Sequence, residues 1–133
     1  MSVFTEREIE YMTEQRLGRL ATVDTEGRPH VVPVGFRYNP ELDTLDIGGR
    51  RLGATKKFRD AGKTGKAAFV VDDVLPPWRP RGVEVRGRAE TFSEGGTEIM
   101  EGFSEEVIRI FPRRIVGWGL DSDAFRTNSR SVG

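Results

Sequence analysis

The sequence predicts a mainly β (α+β) domain: a small antiparallel barrel of six or seven strands, with two or three short helices plugging or flanking its ends. Three observations carry that prediction. Apolar runs of strand length recur between turn residues along the 133 positions, the spacing of an all-β fold. The stretch Gly82–Phe92 alternates, with Val83, Val85, Ala89 and Thr91 on one side and Glu84, Arg86, Arg88 and Glu90 on the other, the period of a strand packed on one face. No βα unit repeats, and only one link approaches the roughly dozen residues that a parallel crossover needs. The length suits one domain, residues 1–133, with a single core.

In chain order, Phe4-Thr5-Glu6-Arg7-Glu8-Ile9 opens a helix. Thr5 is the cap, Glu8 completes a capping box, and Phe4 staples against Ile9. The helix is expected to reach Arg16, burying Ile9, Met12 and Leu17, with Gly18 as its stop. Arg19–Asp24 and Pro29–Phe36 read as two strands about the turn at Gly27, and Pro33 marks an edge or a break in pairing. Thr44–Gly48 is a third strand. A basic helix over Ala54–Asp60 is anchored by Phe58 and ends in Gly62-Lys63-Thr64-Gly65. Lys66–Asp72 is the most apolar strand and the expected centre of the sheet. Val74–Arg81, with Pro76, Pro77 and Pro80, reads as a rigid loop. After the alternating strand come a short helix over Thr97–Phe103 and two short strands, Val107–Phe111 and Arg114–Trp118, interrupted by Pro112. Trp118 is expected in the core. The tail after Leu120 reads as irregular, with Phe125 and Val132 as residues that dock on a partner.

Composition narrows the function classes. The formal net charge is zero, which argues against a nonspecific nucleic-acid binder. There is no cysteine, so disulfides, thiolate metal sites and thiol nucleophiles are excluded. The single histidine leaves no spacing for a zinc site. No run is long and apolar enough to span a membrane, and Met1 leads into Ser2-Val3-Phe4 without a signal-peptide pattern, so the expected place is the cytoplasm.

The stretch most suggestive of chemistry runs from Leu45 to Asp73. Gly48-Gly49 permits a tight bend or close approach to a ligand. Arg50, Arg51, Thr55, Lys56 and Lys57 then cluster at a helix start, a set that suits a phosphate and equally suits a solvated basic turn. Asp72-Asp73 suits a solvated turn better than a metal. His30 is a weak candidate proton donor, with structural or surface duty as the alternative. Trp78, on the proline-stiffened loop, is suited to cover a ring or to centre an interface, or to rim the core. Arg113 and Arg114 are candidates for the same cleft. A basic anion site, a flat apolar crevice and no side-chain nucleophile fit a ring cofactor with a phosphate arm.

The order of these pieces resembles the pyridoxamine 5'-phosphate oxidase-like superfamily, in particular its branch that uses the deazaflavin coenzyme F-420 (8-hydroxy-5-deazaflavin). The residues that carry the resemblance are Gly18–Val23 with Gly27-Arg28-Pro29-His30, Asp46-Ile47-Gly48-Gly49, Gly53–Asp60 and Ala67–Asp73, then Pro77-Trp78-Arg79, Arg81–Gly87 and Pro112–Leu120. The resemblance implies a split β-barrel of the FMN-binding type, a homodimer with two cofactor sites at the interface. It implies that Thr55, Lys56 and Lys57, with Arg50, hold the phosphate. Val32 and Pro33, within the strand Val31–Val34, line the ring, and Trp78 and Arg79 reach over from the other subunit. The implied activity is hydride transfer between reduced coenzyme F-420 and an unsaturated small-molecule substrate. Alternatives are an FMN-dependent oxidoreductase of the same fold, or a non-catalytic carrier of a flavin, deazaflavin or haem-like ligand. The chain lacks the long C-terminal arginine-histidine segment of the oxidase proper, which puts pyridoxamine phosphate oxidation itself in doubt.

Overall fold

The computed structural model describes residues 1–121 and 126–133, so the expectation placed on Phe125 lies outside the described residues. The elements run α1 (Glu6–Glu14), β1 (Leu17–Val23), β2 (Pro29–Asn39), β3 (Thr44–Gly48), α2 (Lys56–Thr64), β4 (Lys66–Leu75), β5 (Arg79–Phe92), β6 (Val107–Trp118) and β7 (Thr127–Ser131). The strand order is β3-β2-β1-β4-β5-β6-β7, and β3 also pairs with β6. Six strands therefore close into an antiparallel barrel and β7 adds a seventh outside β6, as the sequence predicts. β4 takes the middle place. Alternate strand positions turn inward, so that Leu20, Phe36, Ile47, Phe69, Val85 and Ile110 form one buried cluster. Among the described residues no helix is long and apolar enough to cross a membrane.

Several local expectations are corrected. α1 ends at Glu14 and β1 starts at Leu17, so Gly18 is not a helix stop. It lies within β1, where a Cβ would meet the Phe69 ring at 2.2 Å. Leu17 is exposed, not buried. α2 spans Lys56–Thr64 and not Ala54–Asp60, so Gly62 lies inside it, while Gly65 of the expected stop ends it in the left-handed region with φ 68°. Residues 74–81 are a hairpin, not a loop: Val74 pairs with Pro80 and Leu75 with Arg79, because the prolines fall at the turn, including the cis Pro76-Pro77 bond, and at the strand start. Pro112 does not break β6. It pairs with Gly87 while Arg86 pairs with Arg114, so the extra residue, Arg113, bulges out and the strand continues. Residues 96–98 form one 3-10 turn in place of a helix over 97–103. The tail supplies β7, and Trp118 is only half-buried.

Pro33 stands where β2 is paired on one side only. It faces Arg19 of β1, and the pairing with β3 begins two residues later at Gly35, so its missing N–H costs no ladder bond.

The helices close opposite ends. The Thr5 hydroxyl accepts from the Glu8 N–H at 3.1 Å, and the Glu8 carboxylate accepts from the Thr5 N–H at 2.9 Å. Glu8 is buried and also takes two bonds from Arg130 of β7, at 2.5 and 3.1 Å, so one carboxylate joins the helix cap to the seventh strand. The Tyr11 hydroxyl donates to Asp73 at 2.9 Å, and Arg81 binds the same carboxylate in a fork. The Arg81 guanidinium holds the Asp73 carboxyl below its ordinary value, while burial and the Asp73 acceptor push the Tyr11 phenol up. Thr5→Ala removes a cap bond, and its expected cost is about 1 kcal/mol in a urea unfolding curve.

Candidate functional site

β3 delivers the chain to the basic turn. The Gly49 carbonyl accepts from Ser104 N at 2.9 Å and Ser104 Oγ at 3.0 Å, and that hydroxyl accepts in turn from Leu52 N at 3.0 Å. Arg51 adopts the left-handed region with φ 67°. The turn is thus pinned from the inside, and both Arg50 and Arg51 are exposed. Ser104 was beyond the reach of local patterning, because its partners lie more than fifty residues away.

Thr55 caps α2: its hydroxyl accepts from Phe58 N at 3.3 Å and donates to the Leu52 carbonyl at 2.7 Å. Its proton is therefore spent on the turn. The N–H groups of Lys56 and Lys57, first in the helix, have no intrahelical acceptor and carry the positive end of the helix dipole. Lys56 Nζ lies 2.9 Å from Asp60 Oδ2 and 3.9 Å from Asp24. The short contact is an ion pair without hydrogen-bond geometry, since that Asp60 oxygen has no bonding partner. Asp24 is itself held down to about 2 by the Arg28 N–H and side chain. Lys57 has no ion pair among the described residues, and burial pushes its ammonium below the ordinary lysine value. Of the cations predicted from sequence, Lys56 is neutralised locally, whereas Arg50, Arg51 and Lys57 stand without a carboxylate among the described residues. Three unpaired cations and two free N–H groups on one turn are a donor set that fits a phosphate ester.

The alternation of β2 separates the predicted ring-lining residues. Val31 and Pro33 lie on the exposed face, whereas Val32 lies on the half-buried side with His30 and Val34. His30 stands opposite Thr22 of β1, and both His30 Nδ1 and Thr22 Oγ1 are buried without a hydrogen-bond partner. Trp78 is 66% exposed at the tip of the β4–β5 hairpin, and Arg79 beside it is exposed. The ten-residue β4 spans ~30 Å, and α2 sits at its other end. One chain therefore does not bring Trp78 and Arg79 to the basic turn. Arg113 is exposed on the bulge, and Arg114 is engaged with Ser129 and Ser131 of β7. Asp72 pairs with Arg19 at 2.7 Å, so the Asp72-Asp73 pair is tied to arginines on both sides.

A family model described as pyridoxamine 5'-phosphate oxidase matches residues 4–117. A 5a,11a-dehydrotetracycline/5a,11a-dehydrooxytetracycline reductase from Streptomyces rimosus subsp. rimosus is 46% identical over 122 residues, which cover 90% of this chain and 86% of that protein. Among solved structures, the conserved hypothetical protein Rv2991 from Mycobacterium tuberculosis is similar with a TM-score of 0.68 at 19% identity, covering 90% of this chain and 87% of that one. The FAD binding protein from Mycobacterium smegmatis is similar with a TM-score of 0.63 at 23% identity, covering 86% and 93%. At those identities the two structures speak for the fold alone.

Proposed function

The chain belongs to the pyridoxamine 5'-phosphate oxidase family, and from that premise we propose that it is a deazaflavin-dependent oxidoreductase. It passes a hydride between reduced coenzyme F-420 and an unsaturated small molecule. The observation that carries this reading is the 46% identity, over 90% of the chain, to a protein named as a reductase. When bound, the deazaflavin ring supplies the hydride.

The chain's own residues bind, orient and shield. Arg50, Arg51 and Lys57 hold the phosphate arm together with the N–H groups of Lys56 and Lys57. Thr55 fixes the helix start so that those groups converge, and Lys56, tied to Asp60, adds positive field without a free charge. Val31 and Pro33 present an apolar face to the ring with the Val32 backbone between them, excluding water from the transfer. The proton that completes the reduction comes from water, because His30 lies on the other face of β2 from Val31 and Pro33.

This face leaves apolar groups in water: Val31 is 66% exposed and Leu17 55%. A second copy of the chain covers them in the proposed homodimer, and its hairpin brings Trp78 and Arg79 over the first copy's site. Two equivalent sites follow from the two-fold axis. Residence in the cytoplasm belongs to the same proposal.

The test is a fluorescence titration of cofactor-free protein with coenzyme F-420 and, separately, with FMN, followed by turnover of 5a,11a-dehydrotetracycline with the reduced coenzyme. Tight deazaflavin binding, weak FMN binding and consumption of the substrate are expected. Preference for FMN would overturn the cofactor assignment. Binding without turnover of this or other unsaturated acceptors would make the protein a carrier, and binding of neither would remove the enzyme.

A further inference from the structure

A second hollow, of about 480 Å³, lies between the C-terminal end of α1, the far part of β2 and the segment 96–103. That size is ordinary for a small-molecule site. It exists because β2 outlasts β1: Gly35 is the last β2 residue paired with β1, opposite Leu17. The edge of β2 beyond it meets α1 in place of a strand. Met12 and Phe36 form the buried floor, and Tyr38, Ile99 and Met100 add apolar walls. Among the described residues, Arg16 and Arg37 are the only charged ones in the lining. Neither has a carboxylate within ion-pair reach among the described residues. The Arg37 Nε is moreover buried with no hydrogen-bond partner. A buried N–H without an acceptor is costly, although the Arg37 side chain as a whole is only half-buried. The lining therefore combines the apolar side chains with Thr13, Gln15 and two arginines, one of which keeps a buried donor without an acceptor.

The hollow adjoins the basic turn through one shared wall. Gly35 and Gly48 pair across β2 and β3, and a Cβ at either would meet the Phe103 ring at 2.6 Å. Ile99 closes on Gly48 as well, and Ser104, the next residue after Phe103, holds the Gly49 carbonyl. The segment that walls the hollow is thus the one that pins Arg50 and Arg51.

We propose that this hollow binds the hydride acceptor, and that the acceptor is an organic anion with a flat apolar body whose charge is a delocalised oxyanion, a carboxylate or an enolate. The oxyanion pairs with the Arg37 guanidinium with Arg16 beside it, and the body lies against Phe36, Ile99 and Met100. The acceptor's carbon–carbon double bond takes two electrons and one hydrogen as hydride from the reduced coenzyme, which is thereby oxidised, and one proton from water. The role as acceptor rests on the proposed function; the binding of the anion does not.

The chain's three methionines make the test direct, since Met12 and Met100 line the hollow and Met1 is exposed. Cofactor-free protein labelled at the methionine methyls with carbon-13 is titrated with 2-naphthoate and, separately, with the neutral 2-naphthalenemethanol. The Met12 and Met100 signals are expected to move saturably with the carboxylate while Met1 stays still. The alcohol is expected to bind about tenfold more weakly, and Arg37→Gln to lose about tenfold in naphthoate affinity. Arg113→Gln, an exposed arginine elsewhere, should change nothing, and Arg16→Gln reads the same charge should Arg37→Gln fold poorly. Equal binding of acid and alcohol, full affinity in both lining variants, or motionless Met12 and Met100 signals would overturn the site. Naphthoate binding in a protein that ignores coenzyme F-420 would keep the anion site and remove only its role as acceptor.

Discussion

Asp46→Asn is expected to destabilise the fold by about 3 kcal/mol, near the lower end of what breaking a buried ion pair costs. The barrel closes through a short seam, in which Leu45, Asp46 and Ile47 of β3 pair with Ile110, Arg109 and Ile108 of β6. Asp46 is 4% exposed at the centre of that seam. Its oxygens accept from Arg109 Nε at 2.8 Å and from the second guanidinium nitrogen at 3.2 Å. They also accept from Asn39 Nδ2 at 2.9 Å and Thr44 Oγ1 at 3.0 Å. The guanidinium lies 4.6 Å over the Phe92 ring, so it cannot swing to water without losing that contact as well. Asparagine keeps the shape and one acceptor, but it leaves Arg109 charged, half-buried and unpaired. The measurement is the urea midpoint at unchanged slope. A loss below ~1 kcal/mol would mean that Leu45 and Ile47 hold the seam by apolar burial alone.

Such a seam is invisible in the sequence, because Asp46 and Arg109 are 63 positions apart. The barrel was legible for the opposite reason. Its inward residues, such as Val83, Val85 and Ala89 on β5, alternate within one strand, and its turns carry glycine or proline locally. Where pairing came from a partner, local reading failed. β7 is Thr-Asn-Ser-Arg-Ser, with no apolar alternation to mark it, and it is a strand because β6 offers a free edge and Glu8 takes Arg130. β6 survives Pro112 because the bulge at Arg113 absorbs the extra residue. Residues 74–81 extend the β4–β5 ladder because the partner strand sets the register, which outweighs the proline content of the turn. At the site the same division holds. The basic turn after Gly48-Gly49 is a local pattern and was found, but which of its cations remain free depends on Asp24 and Asp60, brought to Lys56 by the fold. Arg37 gave no signal at all, since only the ending of β1 leaves its Nε dry.

Lys57→Ala is expected to weaken cofactor binding by about 1–3 kcal/mol, the worth of a charge-assisted bond to phosphate, which is roughly ten- to a hundredfold in Kd. The pH dependence separates this contact from a loss of general positive charge. In the free protein burial lowers the Lys57 pKa from its ordinary 10.5. The unfolded chain therefore binds more protons in the window between the lowered value and 10.5. The burial penalty is complete below that window and is relieved as pH rises through it. A bound phosphate acts the other way: its negative charge favours the ammonium and raises the pKa again. Cofactor binding then takes up a proton in the interval between the free and bound values, and affinity must fall as pH rises across it. Titrations from about pH 8 to about pH 10, where the phosphate stays fully ionised, should show that decline in the wild type and a flatter profile in Lys57→Ala. Arg50→Ala should weaken binding while keeping the slope, because a guanidinium stays protonated throughout this range. An unchanged Kd in Lys57→Ala at neutral pH, or the same slope in both proteins, would place the phosphate away from the α2 start. The phosphate contact would then pass to Arg50 and Arg51 alone.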